Sequence, residues 1–185
     1  MTLAVFCGAS LGNNEAYANA AKDFGKYLAL NNINVVFGAG SVGMMGTLAD
    51  AVLEHGGNIC GVIPEKLKDL ELAHENLTEL IIVKDMHERK ATMAQLSDAF
   101  VALPGGLGTL EEIFEVWTWA QLGFHKKPCA FYNVDGFYDK LLDMIKTMSE
   151  EGFLKQEHVD IMIQSSYKEE LITAIENFEP KEYAL

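Results

Sequence analysis

Short apolar runs without strict polar alternation recur along the chain, each followed by a longer stretch with helical spacing, and this pattern constrains the fold most. Leu3 to Cys7, Asn34 to Phe37, Asn58 to Ile63, Leu80 to Val83, Ala99 to Leu103 and Pro128 to Tyr132 read as strands. Glu15 to Leu30, Met44 to His55, Met86 to Ser97, Leu110 to Leu122 and Phe137 to Ser149 read as helices. A strand that is apolar throughout needs cover on both faces, and helices crossing over between parallel neighbours supply it. The pattern predicts an α/β fold: a Rossmann-like, doubly wound, mostly parallel sheet with helices on both faces. Ligands of such sheets bind beyond the carboxyl ends of the strands, so the loops after Cys7, Phe37, Val83 and Leu103 are where function should sit.

With 185 residues, 49% of them hydrophobic, the chain can bury roughly 70% of its unfolded surface and needs no disulfide or metal staple. One domain, 1–185, is expected. From Glu150 onward the chain holds nine acids against three lysines and reads as a solvated helical cap on that domain, with helices at Gln156 to Ile163 and Lys168 to Phe178. A formal net charge of -13 opposes binding to nucleic acid or to an anionic membrane. No apolar stretch approaches the roughly 20 residues that span a bilayer, and no charged leader precedes Leu3, so a cytoplasmic protein is expected. Cys7, Cys60 and Cys129 lie in apolar, strand-like runs without a CxxC pair and read as buried thiols. The histidines show no HxxxH or HxH spacing, so neither a metal nor another cofactor is expected.

Glycine concentrates in three loops. Gly8-Ala9-Ser10-Leu11-Gly12 follows the first strand, and the stretch from Gly38 to Gly46 follows the second and fits GxGxxG loosely. No acid stands about 20 residues further on to grip a dinucleotide ribose; Val62-Ile63-Pro64 is there instead, which argues against NAD. These glycines serve equally well for tight turns and close helix packing. The third loop, Leu103-Pro104-Gly105-Gly106-Leu107-Gly108-Thr109-Leu110-Glu111-Glu112, leaves a strand and enters a helix. Its backbone N–H groups, hydroxyl and helix dipole suit one phosphate group. Without a Walker A lysine, it suits a monophosphate better than a magnesium-bound triphosphate. Thr109-x-x-Glu112 also reads as a capping box, which would make Glu112 purely structural. The adjacent Glu111 and the apolar remainder of the helix favour instead a carboxylate with a specific partner.

Among the 14 basic residues there is one arginine, Arg89, in Asp85-Met86-His87-Glu88-Arg89-Lys90. Such a skew suggests that the planar guanidinium is wanted there, not charge alone. Asp85-x-x-Glu88 starts a helix, and Met86, Arg89, Met93, Leu96 and Phe100 share one of its faces, so Arg89 should point inward. A buried arginine needs an anion, either a structural carboxylate or a ligand; the phosphate-type loop one strand later favours the ligand.

Met86-His87-Glu88-Arg89-Lys90 together with Pro104-Gly105-Gly106-Leu107-Gly108-Thr109-Leu110-Glu111-Glu112 resembles the LOG (Lonely Guy) family, which carries MHxRK and PGGxGTxxE. The resemblance covers nearly the whole chain, including Cys7-Gly8-Ala9-Ser10, Glu71-Leu72-Ala73-His74, Leu77 to Leu80, and Trp117 to Gly123 leading to Lys127-Pro128. Departures are mild: Leu107 fills the variable position, and Gly38-Ala39-Gly40 stands where relatives often have three glycines. The resemblance implies a cytokinin riboside 5'-monophosphate phosphoribohydrolase, which cleaves the N-glycosidic bond to release free base and ribose 5-phosphate, with AMP as a further substrate. It also implies a metal-free homodimer. It makes Arg89 and Glu112 the catalytic pair and sets Glu71, Lys90, Gly106, Leu107, Gly108, Thr109, Leu110, Glu111 and Thr118 around the nucleotide. Ser10 is a further candidate for phosphate or ribose contact. Some members once carried a lysine decarboxylase label, for which no pyridoxal phosphate residue set is visible here.

Glycosidic hydrolysis of a nucleotide passes through an oxocarbenium-like ribose, so a carboxylate such as Glu112 near C1′ would stabilise the developing charge and orient water. The competing reading is a carrier or sensor of the same fold that holds a nucleotide without cleaving it. A homodimer is expected to form on the helix Leu110 to Leu122. Trp117 and Trp119 lie roughly 200° apart on it and cannot both face one sheet, so a partner or the chain's own C-terminal segment must cover one side.

Overall fold

The computed structural model describes residues 1–68 and 73–180. Strands β1 (Thr2–Phe6), β2 (Asn34–Phe37), β3 (Ile59–Pro64), β4 (Glu79–Val83), β5 (Ala99–Ala102), β6 (Cys129–Tyr132) and β7 (Met162–Ser165) form one sheet in the order β4-β3-β2-β1-β5-β6-β7. Every neighbouring pair is parallel. The helices are α1 (Glu15–Leu30), α2 (Gly43–Glu54), α3 (Glu65–Lys68), α4 (Met86–Leu96), α5 (Leu107–Gln121), α6 (Asp139–Glu150), α7 (Gln156–Val159) and α8 (Lys168–Glu176). The chain winds outward from β1 through β4, then returns to lay β5 on the free edge of β1. That reversal of strand order opens a crevice beyond the carboxyl ends of β1 and β5.

Side-chain alternation along each strand splits the core in two. Leu3 and Val5 of β1 pack with Phe24 and Leu28 of α1, Leu48 and Val52 of α2, and Leu171 and Ile175 of α8. Ala4 and Phe6 face the opposite layer, with Met93 of α4, Ile113, Val116 and Trp117 of α5, and Ile145 of α6. Cover on both faces is the reason the central strands read as unbroken apolar runs; the edge strand β4 reads the same way yet leaves Leu80 and Ile82 exposed. Cys7 and Cys129 are buried and Cys60 half-buried, all as free thiols. No helix among the described residues is long and apolar enough to cross a membrane.

Three local expectations are corrected. Gln156 to Ile163 is not one helix: α7 stops at Val159, and Met162–Ser165 is the edge strand β7, parallel to β6. With α8 burying Leu171, Ile172 and Ile175, the C-terminal segment completes the sheet and core and is more than a solvated cap. A four-residue, half-buried strand has too little alternation to be told from a helical turn, and pairing with β6 decides it. Second, α5 begins at Leu107, three residues before the expected Leu110, with Gly106 at its cap and no side-chain capping bond. The capping-box alternative for Thr109 and Glu112 therefore falls. Third, of the inward stripe on α4 only Arg89 and Met93 are buried; Met86 and Leu96 are exposed at its ends, and Phe100 belongs to β5.

Candidate active site

The crevice at the reversal point is a cleft of about 650 Å³. It is lined by the loop Gly8 to Gly12 after β1 and the loop from Pro104 to Gly106 after β5, by residues of α2, α4 and α5, and by Tyr17 of α1 and Phe137. Gly8 donates its N–H to the carbonyl of Pro104 at 3.1 Å, and Met44 donates to the carbonyl of Gly8 at 3.1 Å, so the loops after β1, β2 and β5 are tied together around the cleft. At Gly43 the chain starts α2 with φ +64, and a Cβ there would run into the Ala9 backbone. Only glycine lets the two loops approach this closely.

The start of α5 presents Gly106, Gly108 and Thr109 to the cleft. Because α5 has no side-chain cap, its first N–H groups and the positive end of its dipole are available to an anion. Glu112 lies one turn further along, also lining the cleft, near Cys7. Burial, and then the charge of Glu112, push the Cys7 thiol well above its ordinary range, so it stays neutral beside the carboxylate.

Arg89 enters from α4. Asp85 caps that helix, accepting the N–H of His87 and of Glu88 at 3.0 Å each, while Glu88 Oε2 accepts the N–H of Lys84 at 2.7 Å. This two-way cap fixes the first turn, from which Arg89 points inward. Its side chain is buried, and Nη2 donates to the carbonyl of Gly38 at 3.1 Å. A Cβ on Gly38 would collide with that Nη2. The second glycine loop thus makes room for the guanidinium, a role that the glycine pattern alone did not indicate.

Of the residues singled out from sequence, Ser10, Arg89, Gly106, Gly108, Thr109, Glu111 and Glu112 line the cleft. Lys90 instead makes ion pairs with Glu111 Oε1 at 2.6 Å and with Glu115 at 2.9 Å. Leu107 is 87% exposed, and Leu110 packs partly buried against the core. Thr118 is exposed on α5, with its hydroxyl donating to the carbonyl of Phe114 at 2.7 Å. Glu71 lies outside the described residues. Sequence reasoning passed over Tyr17, Met44, Met45 and Phe137, which give the cleft its apolar wall. Tyr17 and Phe137 meet edge to face with ring centroids 5.4 Å apart, and their distance in sequence left nothing to connect them. Among the described residues no group of three or more His, Cys, Asp or Glu is placed to hold a metal ion.

Residues 45–175 match a family described as "possible lysine decarboxylase". The chain is 48% identical to cytokinin riboside 5'-monophosphate phosphoribohydrolase LOG4 of Arabidopsis thaliana, over 96% of this chain and 83% of that protein. It is 46% identical to the Arabidopsis thaliana phosphoribohydrolase LOG1, over 97% and 84%. Among solved structures, the molybdenum cofactor binding protein of Rippkaea orientalis superposes with a TM-score of 0.71 at 19% identity, covering 95% of this chain and 94% of that one. The Moco carrier protein of Chlamydomonas reinhardtii gives 0.70 at 18%, with the same coverage. At such identity these two establish the shared fold alone.

Proposed function

The chain belongs to the LOG family, and from that premise we propose that it hydrolyses the N-glycosidic bond of cytokinin riboside 5'-monophosphates, releasing free base and ribose 5-phosphate. The observation that carries the reading is the meeting of Arg89 and Glu112 in one cleft with the uncapped, glycine-rich start of α5. In this reading the 5′-phosphate takes the N–H groups of Gly106 and Gly108 and the hydroxyl of Thr109, with Ser10 on the opposing loop. Arg89 holds phosphate or ribose oxygens in register. Glu112 faces the ribose, stabilises positive charge as the C1′–N bond breaks, and orients the water whose oxygen bonds to C1′. The departing base takes up a proton from solvent or from an acid of the site, and the attacking water gives up one proton as its oxygen bonds to C1′.

The lysine decarboxylase description fits the cleft poorly. A pyridoxal phosphate enzyme needs a lysine at its reacting centre, and none of the described residues lining the cleft is a lysine. We assign AMP as a second substrate and the cytoplasm as the location, where the free thiols Cys7, Cys60 and Cys129 suit a reducing compartment. The phosphate assignment has a direct test: at equal concentration AMP should release adenine at least about 10²-fold faster than adenosine, since the nucleoside forgoes the binding energy at the α5 terminus. Equal turnover of the two would remove the phosphate from that site.

We also propose a homodimer. Trp117 is covered by this chain, its Nε1 donating to the carbonyl of His158 at 2.9 Å, so the C-terminal segment closes one side of α5. The other side keeps Leu122 and, just beyond the helix, Phe124 exposed, with Leu107 exposed at its start and Trp119 only partly covered. An apolar stretch of this kind on a helix that carries Glu112 suits a second copy. Sedimentation equilibrium at micromolar concentration should give about twice 20.4 kDa; a mass of 20.4 kDa would rule the dimer out.

A further inference from the structure

Between the two helices that deliver Arg89 and Glu112 lies a charged cluster whose members are their immediate neighbours in sequence. Lys90 follows Arg89 on α4, and Glu111 precedes Glu112 on α5. Lys90 Nζ sits 2.6 Å from Glu111 Oε1 and 3.0 and 2.9 Å from the two oxygens of Glu115. Glu111 and Glu115 are one turn apart, so the single ammonium spans the first turns of α5 from the side. The lysine side chain is only 11% exposed. Burial works against its charge, but the hydrogen bonds to Glu111 and Glu115 outweigh it and hold the pKa above the ordinary lysine range. Met93 of α4 and Ile113 of α5 lie in the same apolar layer over the sheet, and apolar packing of that kind is non-directional and leaves register loosely set. An ammonium hydrogen-bonded to two carboxylates one turn apart fixes the register as well.

We propose that Lys90, Glu111 and Glu115 form a clamp that sets the register of α4 against α5 and thereby the position of Arg89 relative to Glu112, which makes Lys90 and Glu115 positioning residues for the reaction. The assignment rests on the proposed hydrolase reading. It gives Lys90 a role other than touching the nucleotide, and it gives Glu115 a role that no motif supplies. Glu115 is the more telling probe, because it touches Lys90 and, unlike Glu111, is not among the described residues lining the cleft. Misplacement of reacting groups by about 1 Å can cost on the order of 10²-fold in rate, which is the scale a lost register should reach.

The experiment is a double-variant cycle on kcat and KM for AMP, using Lys90→Met, Lys90→Arg, Glu115→Gln and the Lys90→Met/Glu115→Gln pair. For a clamp, Lys90→Met should lower kcat by about tenfold or more with KM nearly unchanged. Glu115→Gln should reproduce part of that fall, and the pair should cost no more than Lys90→Met alone, because both changes break one interaction. Lys90→Arg, which can still bridge two carboxylates, should recover most of the rate. If Lys90→Met raises KM while Glu115→Gln is silent, Lys90 binds substrate and the clamp is wrong. If the variants lose melting temperature but keep kcat, the cluster is structural only and the proposal is equally overturned. An unmodified chain inert toward nucleotide monophosphates would overturn the hydrolase reading and this assignment with it, whereas an active one with either of the preceding results overturns the clamp alone.

Discussion

Glu112→Gln is expected to fold with an unchanged melting temperature and to release base from AMP at least about 10²-fold more slowly than the unmodified protein. The amide keeps the size and the hydrogen-bonding reach of the carboxylate while removing the charge that an oxocarbenium-like ribose requires. The fall should appear in kcat, because the charge develops on passing to the transition state and contributes little to binding the ground state. The structure removes the obvious competing explanation. Were Glu112 part of a capping box, its loss would cost about 1 kcal/mol of stability, but α5 starts at Leu107 behind Gly106 and Glu112 lies beyond the capping turn. A variant that melts earlier yet works at full rate would return Glu112 to a structural role.

The second large effect is expected for Arg89→Lys, with base release falling by roughly ten- to a hundredfold. A lysine keeps the charge but loses the planar fork that can bridge two oxygens of a phosphate or ribose at once. It also loses the geometry that threads Nη2 past Gly38 to its carbonyl. That bond is a neutral-acceptor contact worth on the order of 1 kcal/mol net, so its loss by itself should lower melting by about 2–4 °C in a chain of this size. A fall of ten degrees or more with proportionate loss of activity would mean that Arg89 is chiefly a structural residue. The two variants thus separate charge at the ribose from orientation of the whole nucleotide, and melting measured beside each rate keeps stability out of the comparison.

Much of this was legible in the sequence, and the failures have physical causes. The doubly wound sheet followed from apolar runs such as Leu3 to Cys7 and Ala99 to Leu103, since strands covered on both faces must read that way. Arg89 could be placed inward because helical spacing is a local property and its capping residue Asp85 sits just upstream. The edge strand β7 was hidden because Met162–Ser165 acquires its identity from pairing with β6, a contact between distant segments. The early start of α5 was hidden because glycines depress helix propensity, although an uncapped terminus is what an anion site uses. Gly38 looked like a phosphate or turn glycine; its place against Arg89 needs that loop and α4 brought together across 51 residues. The pairing of Lys90 with Glu115 was likewise out of reach, because it joins side chains 25 residues apart on two different helices.

The most direct measurement is the product balance when the purified protein is incubated with AMP and, separately, with N6-isopentenyladenosine 5'-monophosphate, each product being quantified by chromatography. One equivalent of free base and one of ribose 5-phosphate should form per nucleotide consumed, with no adenosine and no inorganic phosphate. Nucleotide bound but returned intact would make the protein a carrier, and nucleoside plus phosphate would make it a phosphatase; either result contradicts the account.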